Sequence, residues 1–336
     1  MRAAFCTAKE TIEVRQTDDP QPGPGEVLVR VRQCGICGTD LHFYRGELPP
    51  SPASLGHEFA GEVAALGEGV QGYAVGDRVA VEPLRFCQSC DYCRSGHYNL
   101  CRERVLIGAY YPGGLAEHIA VPAYTLYRLP ENVDFETGAL AEPLAVCVHG
   151  LHIVGLAAGE RVLVLGSGTI GLFSVLAARH FGASGVIATY RYAHQGEAAE
   201  AMGATRILKD SELEGGVKRG SVDAVVETVG GSAPTLGQAL GLVRFGGRVS
   251  VLGLFTQPQQ IDALSLMRSE ITVTGGITYC RPGQQSDFDV ALAILAADPE
   301  RARRLITHRF PLDEAGAAFA TAADKRQGSL KVHIQV

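Results

Sequence analysis

The chain has 336 residues, 46% of them hydrophobic, which is enough for two buried cores and about two domains. Its net charge of −6 and the lack of a Lys/Arg cluster argue against nucleic acid as the main partner. We find no secretory signal at the start and no apolar run long enough for a membrane span, so we predict a cytoplasmic enzyme.

Short strand-like runs separated by Gly/Pro turns fill the first part of the chain. They cover residues 27–33, 61–65, 78–81 and 116–121, and turns such as PQPGPGE lie between them. This pattern predicts a β-rich first domain.

Two segments of this part contain groups that bind metals. A thiolate, an imidazole and a carboxylate gathered around an open position would form a catalytic zinc site, in which the metal acts as a Lewis acid on a substrate oxygen. Taken singly, a cysteine after a strand is compatible with packing, and a histidine with an ordinary polar role. The segments CGICGTDLH and GHEFAGEV supply Cys37, Thr39, Asp40, His42, His57 and Glu58.

The next feature is a run of four closely spaced cysteines in FCQSCDYCRSGHYNLC. Cys87, Cys90, Cys93 and Cys101 can surround one tetrahedral ion, which favours a closed structural zinc site. The bacterial iron–sulfur run has a shorter last interval followed by proline, whereas Arg102 follows here. A disulfide framework is the other alternative, but a chain of this length does not need one, and nine cysteines leave one unpaired. We expect the remaining cysteines to be buried apolar residues, namely Cys6, Cys34, Cys147 and Cys280.

After residue 150 apolar strands alternate with helical segments. The predicted segments are 161–165, 169–181, 186–189, 197–202, 222–226, 235–243 and 248–252. Such alternation predicts an α/β domain with a doubly wound parallel sheet.

A glycine-rich turn, VLVLGSGTIG, follows the first of these strands. Gly166 permits a tight turn, Gly168 lets the backbone approach a pyrophosphate, and Gly171 lets helix and strand pack closely. The context predicts a dinucleotide site that includes Thr169 and Ile170 at the start of the helix.

The end of the strand GVIAT predicts which cofactor is used. NAD sites place an acidic residue about twenty positions after the glycines, but this chain has Tyr190 and Arg191 there. A guanidinium pairs with a 2′-phosphate, so we predict a preference for NADP over NAD. The alternative is that Arg191 points to solvent while Tyr190 stacks on the adenosine without discriminating.

Together these motifs resemble, over the whole chain, the zinc-dependent medium-chain dehydrogenases of the alcohol dehydrogenase family, in particular the sorbitol- and threonine-dehydrogenase-like branch. The resemblance also rests on GGLAEHIAVP and GALAEPLAV. It implies a β-rich GroES-like catalytic domain over residues 1–147, completed by 287–336. A Rossmann dinucleotide-binding domain is implied over 148–286. It further implies one catalytic and one structural zinc ion per chain.

Residue by residue, the resemblance implies that Cys37 and His57 bind the catalytic zinc, with Glu58 a direct ligand or a partner that swings in. Glu142 stands where alcohol dehydrogenases have a cysteine ligand and this branch has a glutamate. Its carboxylate either completes the coordination sphere of the zinc ion or accepts a hydrogen bond from the zinc-bound water. Asp40 is expected to accept the second imidazole N–H of His57, or alternatively to cap a turn.

The resemblance implies oxidation of an alcohol by hydride transfer to a nicotinamide ring. Thr39 and His42 would carry the proton to solvent by hydrogen bonding through the nicotinamide ribose, although His42 is also compatible with a helix cap or surface packing. His149 and His152 are expected on a helix without chemical roles.

The substrate is expected to be a secondary alcohol on a polyol, sugar, sugar acid or hydroxy amino acid. Alternatives are a simple alcohol or aldehyde dehydrogenase, a zinc-independent quinone or enoyl reductase, and a non-catalytic binding protein with this fold. A homodimer or homotetramer is expected through the nucleotide domains, with the run ITVTGG from Ile271 as a candidate edge strand.

Overall fold

The computed structural model describes residues Met1–Val336, which form two compact units. The first unit comprises Met1–Glu142 and Cys280–Val336, and the second comprises Pro143–Tyr279. The boundaries predicted after residues 147 and 286 lie a few residues further along the chain. The structural division falls in the first turn of a helix. None of the helices has the length and apolar character needed to cross a membrane.

The first part of the chain is made of short strands and short helices. The strands are β1 (Arg2–Ala8), β2 (Thr11–Gln16), β3 (Glu26–Gly35), β4 (Glu58–Leu66), β5 (Arg78–Val81), β6 (Leu84–Arg85), β7 (Val105–Leu106), β8 (His118–Pro122) and β9 (Leu126–Arg128). The helices are α1 (Gly38–Tyr44), α2 (Asp91–Arg94), α3 (Phe135–Gly138) and α4 (Ala141–Ile153).

Strands and helices alternate through the second unit. The strands are β10 (Arg161–Leu165), β11 (Gly185–Tyr190), β12 (Arg206–Lys209), β13 (Val222–Glu227), β14 (Val243–Val251) and β15 (Thr272–Gly275). The helices are α5 (Thr169–His180), α6 (Ala193–Ala201), α7 (Leu213–Gly216), α8 (Thr235–Leu242) and α9 (Ala263–Ser269).

The six strands of the second unit form one parallel sheet in the order β12-β11-β10-β13-β14-β15. This is the doubly wound dinucleotide-binding order, so the predicted Rossmann fold is confirmed. The four residues after Arg161 in β10 are all buried, as expected for a central strand covered on both faces. Strand β14 begins earlier than the predicted residue 248 because Val243 already pairs with Val222, ahead of a bulge.

The last part of the chain returns to the first unit. It contributes α10 (Asp287–Ala297), α11 (Pro299–Arg303), β16 (Ile306–Pro311), α12 (Ala315–Ala323) and β17 (Lys331–Gln335). A seven-stranded sheet results, in the order β16-β17-β3-β4-β5-β9, with β8 paired to β3. On one rung of this sheet, Gly35 pairs with His333 on one side and with Glu58 on the other. This pairing places the C-terminal strand β17 next to Gly35, close to the candidate metal ligands.

Candidate active site and cofactor site

The candidate ligand Cys37 is held by the first turn of α1. Cys37 is the N-cap of this helix, and its backbone N–H donates to the carboxylate of Asp40 at 2.8 Å. Asp40 is fully buried, and it also accepts from the N–H of Gly56 at 3.4 Å. One carboxylate thus joins the loop that carries Cys37 to the loop that precedes His57.

Cys37, His57 and Glu58 converge in the first unit. Their ligand atoms all lie within 4.8 Å of one another, and the side chains of His57 and Glu58 are buried. A Cβ on Gly56, whose φ is +92°, would lie 2.6 Å from the Cys34 sulfur, so only glycine fits before His57. A thiolate, an imidazole and a carboxylate at this spacing are a donor set that fits zinc.

The negative charges around His57 also favour binding of a metal cation. Burial alone would lower the pKa of His57, but the thiolate of Cys37 and the carboxylates of Asp40 and Glu142 raise it well above its usual value. The ring atom Nδ1 has no hydrogen-bond partner and lies 3.8 Å from Oδ1 of Asp40. The predicted hydrogen bond between these two residues is therefore absent, since Asp40 serves the helix cap instead.

Lys331, which the sequence analysis missed, binds Glu58 inside the protein. Its Nζ lies 2.7 Å and 2.5 Å from the two oxygens of Glu58 and 3.1 Å from the carbonyl oxygen of Ile36, and only 2% of its side chain is exposed. Gly35 makes room, because a Cβ there would lie 2.3 Å from the Glu58 carboxylate. The signal in the sequence was a lysine flanked by Leu330 and Val332 at the start of the C-terminal strand.

The remaining predicted residues of this site lie on helices. Thr39 and His42 are three positions apart in α1, which places them on one face of the helix, and His42 Nδ1 contacts the carboxylate of Glu47. Glu142 is buried in the first turn of α4, close enough for its charge to raise the pKa values of His57 and Lys331.

The four-cysteine loop forms a compact sulfur cluster. The sulfur of Cys87 lies 3.8 Å from that of Cys93 and 3.6 Å from that of Cys101, and the sulfurs of Cys90 and Cys93 are 3.5 Å apart. A tetrahedron with Zn–S bonds of about 2.3 Å has sulfur–sulfur separations of about 3.8 Å, so the cluster fits zinc. None of the nine cysteines forms a disulfide, and the other four expected to be buried, Cys6, Cys34, Cys147 and Cys280, are buried.

The glycine-rich turn in the second unit joins β10 to α5. Gly166 has φ +95°, and a Cβ on Gly171 would lie 1.9 Å from the carbonyl oxygen of Gly166, so neither position accepts a side chain. Gly168 is the N-cap of α5 and has open space where a Cβ would be. The backbone at the head of this helix, including Thr169 and Ile170, is thus accessible to a phosphate.

Tyr190 ends β11, and the exposed Arg191 follows it. Gln195 accepts hydrogen bonds from the backbone N–H groups of Arg191 and Tyr192, at 3.2 Å and 3.1 Å, and this fixes the loop. On the neighbouring strand, Tyr190 pairs with Lys209, whose side chain is also exposed. In NAD-binding sites, an acidic residue at this end of the strand binds the ribose hydroxyls. Here two cationic side chains, Arg191 and Lys209, lie at this end.

Two family models match the chain. Residues 23–131 match the "Alcohol dehydrogenase GroES-like domain", and residues 169–297 match "Zinc-binding dehydrogenase". The sorbitol dehydrogenase of Halalkalibacterium halodurans is 33% identical over 91% of each chain. The L-threonine 3-dehydrogenase of Pectobacterium atrosepticum is 32% identical over 96% of this chain and 91% of its own.

A solved structure is similar over the whole length. It is a zinc-binding dehydrogenase from Sinorhizobium meliloti bound to NADP, 35% identical, with a TM-score of 0.91 over 100% of this chain and 99% of that one. The β-rich first domain predicted from the sequence has the GroES-like fold of this family, so that prediction is confirmed.

Proposed function

The chain belongs to the zinc-binding alcohol dehydrogenase family, and we propose that Cys37 and His57 hold the zinc ion at which it oxidises its substrate. It is an NAD(P)-dependent dehydrogenase that acts on a polyol or another small hydroxy compound. The convergence of Cys37, His57 and Glu58 within 4.8 Å is the observation that carries the assignment of the zinc site.

Two carboxylates can complete this site, and we propose Glu142 as the ligand. Both oxygens of Glu58 are engaged by Lys331, at 2.7 and 2.5 Å, which offsets the charge of that carboxylate. Glu142 is buried, and its charge acts on His57. Zinc content should therefore fall more in Glu142→Gln than in Glu58→Gln, and the reverse order would assign the ligand to Glu58.

When bound, zinc supplies a Lewis acid that lowers the pKa of the substrate hydroxyl, and the nicotinamide ring accepts the hydride. The proton leaves along one face of α1. Thr39 is half-buried, and its hydroxyl would accept the substrate proton while donating its own towards His42, which is 22% exposed and would pass a proton to solvent. The contact between His42 Nδ1 and Glu47 orients the imidazole for this transfer.

The experiment that tests this function compares Cys37→Ala with Cys147→Ala, a buried cysteine of the second unit. Polyols, sugar acids, threonine and simple alcohols are assayed with NAD and NADP, together with zinc content. We expect Cys37→Ala to lose one zinc and essentially all turnover, while Cys147→Ala keeps both. Activity of Cys37→Ala within tenfold of wild type would exclude zinc-assisted hydride transfer at this site.

We further propose that NADP is preferred over NAD. The support is the exposed pair of cations, Arg191 and Lys209, beside Tyr190 at the end of β11. One charge-assisted hydrogen bond to a 2′-phosphate contributes roughly 1.5–3 kcal/mol, or about one to two decades of preference.

A second, structural zinc ion and a homo-oligomer are also proposals. The sulfur separations of 3.5–3.8 Å support the ion. The edge strand β15 and the exposed apolar side chains of Leu264 and Met267 support self-association through the second unit. The cytoplasmic location stays a prediction from the sequence.

A further inference from the structure

A cluster of positive charges lies where α1 and α12 end. Arg45 follows α1, and its guanidinium donates a hydrogen bond of 3.3 Å to the carbonyl oxygen of Ala323, the last residue of α12. The rings of Tyr44 and Phe319 pack at 5.6 Å and hold the two helices together. Lys325 opens the short 3-10 turn that follows α12.

Lys325 is half-buried among like charges. Burial and the charges of Lys331 and Arg45 lower the pKa of Lys325 to about 8. An ammonium group that is partly desolvated beside other cations is unfavourable unless an anion joins it.

Most carboxylates of the neighbouring segments are already engaged, and Glu10, beside Tyr44, is exposed to solvent. Glu58 binds Lys331 at 2.5 Å, Asp324 binds Arg326 at 2.8 Å, and Glu47 contacts His42. The cluster therefore has a local excess of positive charge in a chain whose net charge is −6.

We propose that Lys325 and Arg45 bind an oxyanion, the phosphate or carboxylate of a ligand used in the dehydrogenase reaction. A guanidinium offers several N–H donors, and an ammonium adds a compact charge, which together suit a tetrahedral or planar oxyanion. The location supports this role, because Arg45 ends the short helix that Cys37 caps, and Lys331, six residues after Lys325, binds Glu58 beside Cys37 and His57.

The identity of the reacting ligand rests on the proposed function, and two sources fit the same chemistry. One is a phosphate of the nicotinamide cofactor. The other is an acidic or phosphorylated group on the hydroxy substrate.

The first experiment measures anion binding without turnover. The whole enzyme is acetylated with limiting acetic anhydride at pH 8, with and without inorganic phosphate, and modification of each lysine is followed by peptide mass spectrometry. We expect phosphate to slow acetylation of Lys325 by about fivefold or more, with little effect on the exposed Lys218. In Arg45→Gln this protection should be largely lost.

The second experiment measures KM in Lys325→Gln, with Lys325→Arg and Lys218→Gln as controls. A KM for the cofactor raised about tenfold with every substrate would assign the anion to the cofactor. A KM raised only for acidic or phosphorylated substrates, with neutral polyols unchanged, would assign it to the substrate. Lys325→Arg should restore most of the loss, and Lys218→Gln should behave as wild type.

The proposal fails if phosphate does not protect Lys325, or if Lys325→Gln leaves both KM values within twofold of wild type. These outcomes differ from failure of the proposed function, which would appear as absence of dehydrogenase turnover in the wild-type, zinc-loaded enzyme. Protection by phosphate is independent of turnover, so the anion site is tested in either case.

Discussion

At the scale of single residues, the buried pair of Lys331 and Glu58 is the contact whose loss should cost most. Each charge is desolvated, with 2% and 1% of the side chain exposed, so removing one leaves the other unpaired. We expect Lys331→Met to lower the free energy of unfolding by about 3–5 kcal/mol, measured by urea denaturation.

The double variant Lys331→Met/Glu58→Gln should recover part of this loss, because no unpaired charge then remains. Arg15→Met is the matched control: Arg15 pairs with Glu13 at 2.6 Å, but both side chains are about half exposed, so its effect should stay below about 1 kcal/mol. Equal effects at the two sites would show that the buried pair contributes no more than a surface pair.

Arg191 provides the residue-scale prediction for the cofactor. Its side chain is exposed beside Tyr190, so its removal should leave the fold intact. We expect Arg191→Ala to lower kcat/KM with NADP by about tenfold or more while kcat/KM with NAD changes little. Arg206→Ala, an exposed arginine at the start of β12, is the control. A wild-type enzyme that favours NAD by tenfold would contradict the proposal.

At the scale of elements, the cysteine loop depends on its metal more than on its own packing. Helix α2 has only four residues, none of them buried, so little apolar burial holds the part of the loop that carries Cys90 and Cys93. We expect Cys93→Ser to lose one zinc ion and to unfold at a lower temperature, since metal-binding free energy is also folding free energy. Ser95→Ala, in the same loop, should change neither quantity. Wild-type zinc content in Cys93→Ser would refute the structural site.

A buried carboxyl group joins this loop to the sheet. One oxygen of Glu82 accepts from the hydroxyl groups of Tyr98 and Tyr127, at 3.0 and 2.9 Å. Burial raises the pKa of Glu82 from 4.5 to about 8, although both tyrosines and Arg281 oppose the shift. The folded chain thus holds this proton more tightly than the unfolded chain, and its stabilising effect is full below pH 4.5 and lost as the pH rises towards 8.

Glutamine at position 82 keeps an acceptor for both tyrosines and does not ionise. We therefore expect Glu82→Gln to flatten the decline of the melting temperature between pH 5 and pH 8, with a gain of several degrees at pH 8. Glu68→Gln, a carboxylate in an exposed turn, should leave the wild-type pH profile unchanged. An unchanged profile in Glu82→Gln would mean that this group does not titrate in the range.

At the scale of the whole molecule, motifs formed by neighbouring residues could be predicted from the sequence. Contacts between residues far apart in the chain could not. The glycine turn and the cysteine loop each lie within about sixteen consecutive residues, so spacing alone predicts their geometry. Lys331 meets Glu58 across 273 residues, and Arg45 meets Ala323 across 278. Those contacts exist only because β17 and α12 return to the first unit, which no local pattern encodes.

Self-association is the prediction that belongs to this scale. Strand β15 ends the sheet of the second unit, so one row of its backbone N–H and C=O groups has no strand partner. Leu254, Leu264 and Met267 lie near it in the chain, with 60%, 53% and 65% of their surface exposed. An unpaired edge and exposed apolar side chains in the same unit favour pairing with a second copy of the chain.

We expect the wild-type protein to be at least dimeric at micromolar concentration by light scattering, and Met267→Glu to raise the dissociation constant tenfold or more by placing a charge at the contact. Val75→Glu is the matched control, since Val75 in the first unit is 67% exposed, close to the 65% of Met267, but lies away from β15 in the chain. If both variants dissociate equally, added charge alone is responsible. If the wild type is monomeric, the edge of β15 is not an interface between copies.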